Sequence, residues 1–253
     1  MKAWRPVIPV LAGALLWGCA GPTADMKKEA DARMEMGISY LEQRNIPAAM
    51  RELTRASELD PGNPEIDMAL GLAYRARGDS GKAEEYFRRA IRKKPDYPEA
   101  HNNLGVLLSG LGRGDEAIKE YEAAAANVVY ATPEIAYCNM GEEYRRRGNL
   151  QSAEAMYRRA LAFNERYGPA YRGLAEVLAA KGRGEEAIAT LEKCVRATPA
   201  YAPAWFDLGG AYMRTGRPKD ALQAFRNVLP NTEDEALRRL AAERIRTLET
   251  GNR

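Results

Sequence analysis

The sequence predicts an all-α fold, a solenoid of six helix pairs followed by a carboxyl-terminal capping helix. Three observations lead to this prediction. Small residues recur at a nearly constant interval, a second set of small and aromatic residues keeps a fixed distance from them, and glycines or prolines stand where helices must end. Only 4 phenylalanines and few β-branched runs argue against a sheet.

The small residues act as anchors of the six units. Their spacings are 34, 34, 36, 34 and 34 residues, and the anchors are Gly37, Gly71, Gly105, Gly141, Ala175 and Gly209. Further small residues follow each anchor 12 and 19 residues later, with a leucine or an aromatic residue between them. Small residues at these positions let two antiparallel helices approach closely, and the larger ones fill the space between them.

This pattern resembles the tetratricopeptide repeat, a helix–turn–helix unit that stacks into a right-handed superhelix. The resemblance implies repeats over residues 30–232, starting near residues 30, 64, 98, 134, 168 and 202. A capping helix and tail are expected over 233–253, because the last unit would otherwise expose its apolar face. One side of that helix is expected to carry Leu237, Leu240, Ala241, Ile245 and Leu248.

One interval is longer than the others. The two extra residues fall within Ala126–Thr132, between the second helix of the third unit and the first helix of the fourth. The insertion is either a tolerated loop extension or a local change in the pitch of the superhelix.

The amino terminus is expected to direct export. Residues 1–18 predict a lipoprotein signal peptide, with Lys2 and Arg5 before an apolar stretch too short to span a bilayer. Leu16 to Cys19 resembles the bacterial lipobox, although Trp17 replaces a usually small residue. The resemblance implies lipidation at Cys19, a tether over residues 19–29 and sorting to the periplasmic face of the outer membrane. An ordinary signal peptide with a chance cysteine, or an uncleaved anchor, is the alternative.

Composition and charge disfavour several other functions. Without Lys2 and Arg5 the chain carries 36 basic and 35 acidic residues, which is no basis for nucleic-acid binding. The single histidine, His101, occupies a packing position, and no cofactor, metal or catalytic site is predicted. We therefore expect no enzymatic activity. Cys138 and Cys194 are expected to remain unpaired, although an oxidising compartment leaves a disulfide open as an alternative.

The first helices of the repeats are the expected partner-binding surface. By resemblance to other tetratricopeptide proteins, residues at fixed offsets from each anchor are expected to face a groove whose amino-terminal half is apolar. The predicted groove residues are Met34, Ile38, Leu41, Met68, Leu72, Arg75 and Val106. An apolar groove rich in methionine suits an amphipathic helix or a hydrophobic peptide. Alternatively, these side chains pack against each other or against the tether.

Six such units behind the lipobox Leu16–Cys19, with the extra residues after the third unit and the junction Tyr130–Pro133, resemble the type IV pilus biogenesis lipoproteins, the pilotins of the pilus secretin. The resemblance implies a non-enzymatic role in localising and multimerising an outer-membrane secretin. The partner would then be a secretin subunit or an amphipathic segment of it, with membrane attachment through Cys19. The alternatives are a general periplasmic scaffold for envelope or polysaccharide-export machinery and, less favoured, a regulatory subunit of an enzyme.

Overall fold

The computed structural model describes residues 21–250, which form thirteen α-helices and no strand. The all-α prediction is therefore confirmed. The signal peptide and Cys19 lie outside the described residues. The helices are α1 Ala24–Glu42, α2 Ile46–Leu59, α3 Pro64–Ala76, α4 Ser80–Lys93, α5 Pro98–Gly110, α6 Gly114–Ala126, α7 Pro133–Arg146, α8 Leu150–Phe163, α9 Gly168–Ala180, α10 Gly184–Ala197, α11 Ala202–Arg214, α12 Pro218–Val228 and α13 Glu235–Thr250.

The chain divides into two compact units, the first ending at Gly62 and the second beginning at Asn63. In the first unit, α1 and α2 pack as one antiparallel pair around the buried Leu53. A Cβ atom added at Gly37 would lie 2.6 Å from Cγ of Leu53, so the absence of a side chain sets how closely the two helices approach.

The amino-terminal helix is longer than the sequence indicates. α1 begins at Ala24, within the segment expected to be a tether up to residue 29, because the Thr23 hydroxyl accepts a hydrogen bond from the Met26 amide at 3.3 Å. A threonine at this position satisfies one of the free amides of the first helical turn. None of the described helices combines the length and the apolar composition that a membrane span requires.

The second unit contains five helix pairs, α3–α4 to α11–α12, and the last helix. In each pair the anchor of the first helix faces a large side chain of the second helix. A Cβ atom at Gly71 would lie 2.5 Å from the Phe87 ring, and one at Gly209 would lie 2.7 Å from the Phe225 ring. The spacing of small and aromatic residues is thus a consequence of close helix contact.

The turns between paired helices also follow the sequence pattern. The glycine that ends each first helix of the second unit has positive φ, between 71° and 84°. These residues are Gly78, Gly112, Gly148, Gly182 and Gly216. The equivalent residue of the first unit is Arg44, which adopts φ 59° despite its side chain.

The capping helix α13 covers part of the end of the second unit. Ala241 and Leu248 are buried, and Leu237 and Ile245 pack against core clusters. Leu240, which was expected on the same apolar side, is instead 44% exposed. Leu240 follows Leu237 by three residues, which places it at the border between the buried face of α13 and the face exposed to solvent.

The insertion forms the connection between α6 and α7. Tyr130 is buried in the main core cluster, whereas Val128 is 98% exposed and Val129 is 81% exposed. The Asn127 side chain accepts a hydrogen bond from the Val129 amide at 2.9 Å and donates one to the Asp96 carbonyl at 3.0 Å. The two extra residues are thus accommodated as an exposed tip above an ordered base.

Candidate partner-binding groove

The first helices of the second unit lie side by side and form one layer. Polar side chains connect neighbouring members of this layer. Arg75 of α3 donates to Asn103 of α5 at 3.1 Å, and Asn139 of α7 donates to Asn102 of α5 at 3.0 Å. Arg145 of α7 pairs with Glu176 of α9 at 3.5 Å. These bonds fix the lateral positions of the helices that were predicted to bind a partner.

The predicted groove residues are divided between the two units. Met34, Ile38 and Leu41 lie on α1 of the first unit and are half-buried. In the second unit, Leu72 packs against the main core cluster and Met68 against a smaller cluster around Tyr97. Both side chains therefore serve partly in internal packing.

The two remaining predicted residues differ in their surroundings. Arg75 is half-buried and bonded to Asn103, and burial lowers the pKa of its guanidinium. Val106 is 37% exposed on α5. Their role in partner binding remains a prediction.

A cavity of about 450 Å³ lies at the carboxyl-terminal end of the second unit. Pockets that bind ligands have volumes of about 300–1,000 Å³. Its walls come from α9, α10, α11, α12 and α13, and its apolar lining includes Ala179, Leu191, Phe206, Met213, Phe225 and Leu248. Phe206 meets Phe225 edge to face, with ring centroids 5.4 Å apart. None of the predicted groove residues lines this cavity.

Charged side chains surround the apolar lining. Arg172 of α9 donates to the Asp207 carboxylate of α11, and these two residues thereby join two first helices. Glu176 is held by Arg145. Arg214 and Arg244 also line the cavity, and neither has a carboxylate partner among the residues the structure describes. The rim therefore carries two positive charges that no carboxylate of the described residues neutralises.

The middle of the layer is polar and internally paired. Arg145 donates to Glu142 at 2.7 Å, and the Tyr157 hydroxyl donates to the same carboxylate at 3.1 Å. Burial raises the pKa of Glu142, but the bonds from Arg145 and Tyr157 outweigh this effect and the net pKa is lowered. Glu142 is therefore ionised at neutral pH. The charged side chains Arg145 and Glu142 of this region are thus engaged within the protein.

Both ring nitrogens of His101 lie within hydrogen-bond distance of oxygen atoms of the protein. Its Nδ1 lies 2.7 Å from a Glu120 carboxylate oxygen, and its Nε2 lies 2.9 Å from the Pro95 carbonyl oxygen. Trp205 makes the same backbone contact, since its indole donates to the Pro199 carbonyl at 2.8 Å. His101 thus occupies the packing position of an aromatic residue, as the sequence indicates.

The two described cysteines, Cys138 and Cys194, are both free. Cys194 of α10 is buried in the main core cluster, and Cys138 of α7 is half-buried against the same cluster. Burial raises the pKa of the Cys138 thiol to about 12. The thiol is therefore a weak nucleophile at neutral pH.

The cavity was missed although part of its signal is present in the sequence. Phe206, Gly210 and Met213 have the same offsets from Gly209 that Met68, Leu72 and Arg75 have from Gly71. The offsets that predict groove residues in the first three repeats therefore also identify these three residues in the last repeat. Arg244 and Leu248 gave no such signal, because α13 does not repeat the motif.

Comparisons with known proteins agree with this architecture. Residues 34–98 and 68–128 match one tetratricopeptide repeat model, and residues 144–199 and 179–243 match a second. Over 108 residues the chain is 32% identical to the photosystem I assembly protein Ycf3 of Cuscuta gronovii, covering 42% of this chain and 63% of the relative. Over 111 residues it is 26% identical to the type IV pilus assembly protein PilF of Pseudomonas aeruginosa, covering 44% of each protein. The chain thus spans less than two thirds of the length of each of these relatives.

Two solved structures superpose over most of the chain. PilW, described as a widely conserved type IV pilus biogenesis factor, has a TM-score of 0.71 and 25% identity, covering 83% of this chain and 97% of that one. The P. aeruginosa PilF structure has a TM-score of 0.72 and 18% identity, covering 87% and 99%, and supports the fold alone.

The two repeat matches together span residues 34–128 and 144–243, and the structure supplies the expected helix pairs in both ranges. The chain therefore belongs to the tetratricopeptide-repeat family.

Proposed function

We propose that this protein is a non-enzymatic assembly factor for type IV pili, in which the helical repeats bind a protein partner. The observation that carries this proposal is the likeness to PilW, at 25% identity over 83% of this chain and 97% of that one. Similarity over nearly the whole of a pilus biogenesis factor is more selective than a match to individual repeats. The shorter match to PilF points in the same direction.

The finer proposal is a pilotin role, in which the partner is a subunit of the outer-membrane secretin. The basis is the resemblance of the lipobox and of the insertion before α7 to pilotin lipoproteins. Lipidation at Cys19 would supply several acyl chains, which is enough for stable attachment where a single chain is not. The repeats would then present their first-helix layer to a secretin subunit at the periplasmic face of the outer membrane.

The repeat architecture supports a binding role. The polar side chains of the first-helix layer are mostly engaged with each other, while the cavity between α9 and α13 is apolar and accessible at its rim. Such a surface suits recognition of a peptide segment. An apolar cavity with an accessible rim is consistent with an assembly factor that holds an unassembled subunit.

The proposal is tested by deleting the gene in the source organism. The secretin is then separated into monomers and heat-resistant multimers by electrophoresis and immunoblotting, and surface pili are counted. We expect multimers and pili to be lost and restored by the wild-type gene. Normal secretin multimers in the deletion strain would refute the pilotin role, and normal piliation would refute a role in pilus assembly.

The membrane anchor needs a separate test. A Cys19→Ala variant should lose metabolic labelling with palmitate and leave the outer-membrane fraction, with secretin multimers reduced or misplaced. A Cys138→Ala variant is the matched control and should retain both properties, because Cys138 is half-buried within the folded unit. A Cys19→Ala protein that stays labelled and membrane-bound would contradict lipidation at this residue.

A further inference from the structure

We infer that the cavity between α9 and α13 binds an internal segment of a protein partner that places an apolar side chain beside acidic ones. This inference goes beyond the proposed function, because it concerns the chemistry of the bound segment and holds whether or not the partner is a pilus component. The cavity also lies outside the groove residues that the sequence indicates.

The walls select an apolar group. Phe206 and Met213 of α11, together with Leu248 of α13, face the same space, and Met213 is 43% exposed. A methionine and an aromatic ring that line an accessible cavity can adapt to an aliphatic or aromatic side chain. Transfer of such a side chain from water into the cavity is the favourable step.

The rim selects negative charge. Five charged residues line the cavity, Arg172, Glu176, Asp207, Arg214 and Arg244, so arginines outnumber carboxylates. Both carboxylates are already paired, Asp207 with Arg172 and Glu176 with Arg145. Arg214 and Arg244 have no carboxylate partner in the described part of the chain, so each can pair with a carboxylate of the ligand.

The position of Arg214 directs this charge towards the cavity. A Cβ atom added at Gly210 would have an Arg214 guanidinium nitrogen as its nearest neighbour, at 3.6 Å, so the head group folds back over a residue of the lining. Arg244 projects from a different helix, α13. Two cationic groups on separate helices suit carboxylates spaced along a segment better than the single carboxylate of a chain end.

The test uses the purified folded protein and three pools of fluorescein-labelled, end-blocked dodecapeptides. Every pool carries randomised leucine, phenylalanine and methionine, and the interspersed polar residue is glutamate, glutamine or lysine. We expect the glutamate pool to bind at least about tenfold more tightly than the other two by fluorescence anisotropy. No binding by any pool, or equal binding by all three, would overturn the inference.

Two variants locate the binding. The Arg214→Glu/Arg244→Glu variant should no longer bind the glutamate pool and should instead bind the lysine pool preferentially. The Arg166→Glu/Arg239→Glu variant makes the same change of charge at exposed residues outside the cavity and should behave like the wild type. Circular dichroism and melting confirm that both variants fold. Equal effects of the two variants would show non-specific attraction and overturn the site.

Two further measurements separate competing occupants. Replacing Ala179 by tryptophan fills the cavity without changing charge, and it should abolish binding of the glutamate pool. Sodium dodecanoate is the probe for a lipid occupant. Saturable dodecanoate binding that exceeds the affinity of the glutamate pool and is lost in Arg214→Glu/Arg244→Glu would overturn the peptide assignment in favour of an acyl chain. Because these tests use no pilus protein, their failure leaves the pilotin proposal unaffected.

Discussion

Gly173 of α9 lies directly against the ring of Tyr157 of α8. A Cβ atom at residue 173 would be 2.2 Å from Cζ of the tyrosine and 2.7 Å from its hydroxyl oxygen. Tyr157 is only 1% exposed, it also faces Gly141, and its hydroxyl donates to Glu142. One tyrosine therefore occupies space that two glycines leave open, in successive repeats.

The first prediction is that Gly173→Ala destabilises the protein. The added methyl group cannot be accommodated unless Tyr157 moves, and that movement breaks the hydrogen bond to Glu142. Overpacking of this kind costs about 1–3 kcal/mol. Chemical denaturation followed by circular dichroism should show a lower midpoint.

Gly210→Ala is the matched control, since Gly210 is also within a helix but meets nothing closer than 3.6 Å. Alanine is favoured over glycine in a helix by about 0.5–1 kcal/mol, so this variant should be as stable as the wild type or more so. Equal midpoints for the two variants would contradict the packing argument.

The repeat architecture could be predicted because each repeat is specified locally. The anchor glycine and the aromatic residue sixteen positions later, such as Gly71 and Phe87, contact each other within one helix pair. Periodicity therefore reports a contact that the structure contains. The start of α1 could not be placed in this way, since Thr23 acts as an amino-terminal cap outside any repeat.

The candidate site was less predictable for a related reason. Phe206 and Met213 follow the repeat pattern, but their surroundings depend on α13, whose register against α12 has no counterpart elsewhere in the chain. The ionic partners of Glu176 and Asp207 belong to neighbouring repeats. Which arginines remain unmatched is thus a property of the three-dimensional arrangement.

The second prediction concerns Arg44, which has φ 59° where the equivalent residue of the fourth repeat, Gly148, has φ 73°. A side chain in this region strains the backbone, whereas glycine adopts it freely. Arg44→Gly should therefore stabilise the protein by about 0.5–1 kcal/mol.

Gly148→Ala is the reciprocal change and should destabilise by about 1 kcal/mol. No atom lies within 4 Å of a Cβ added there, so the strain is purely conformational. Thermal melting checks both variants. A loss of stability in Arg44→Gly would show that the arginine side chain contributes more than the strain costs.

The third prediction concerns the pH dependence of stability. The Glu154 carboxylate of α8 accepts hydrogen bonds from Lys181 at 2.7 Å, Arg158 at 2.9 Å and Arg183 at 3.0 Å. The bond from Lys181, opposed by burial and reinforced by the two arginines, lowers the pKa of Glu154 from 4.5 to about 2. A lowered folded-state pKa stabilises the protein above the unfolded value, and this contribution is lost as pH falls from about 4.5 towards about 2.

Glu154→Gln should therefore lower stability at pH 7 by about 1 kcal/mol, because the cationic partners remain partly exposed to solvent. The difference from the wild type should shrink progressively below the unfolded-state pKa of 4.5. Urea denaturation over a series of pH values measures it. Glu122→Gln, at an exposed residue without an ion pair in the described structure, is the control and should match the wild type throughout. A difference for Glu154→Gln that is independent of pH would contradict the electrostatic explanation.

The fourth prediction separates the two parts of the insertion before α7. Tyr130 is 7% exposed within the main core cluster, so Tyr130→Ala removes a packed ring and should cost about 2–4 kcal/mol. Val128 is 98% exposed, so Val128→Ser should change the free energy of unfolding by less than about 0.5 kcal/mol. Denaturation midpoints compare the two variants directly. If Tyr130→Ala were as mild as Val128→Ser, the base of the insertion would be independent of the core. A large loss of stability for Tyr130→Ala alone would mean that the inserted segment is held to the core by the Tyr130 ring. Its exposed valines would then be free to vary.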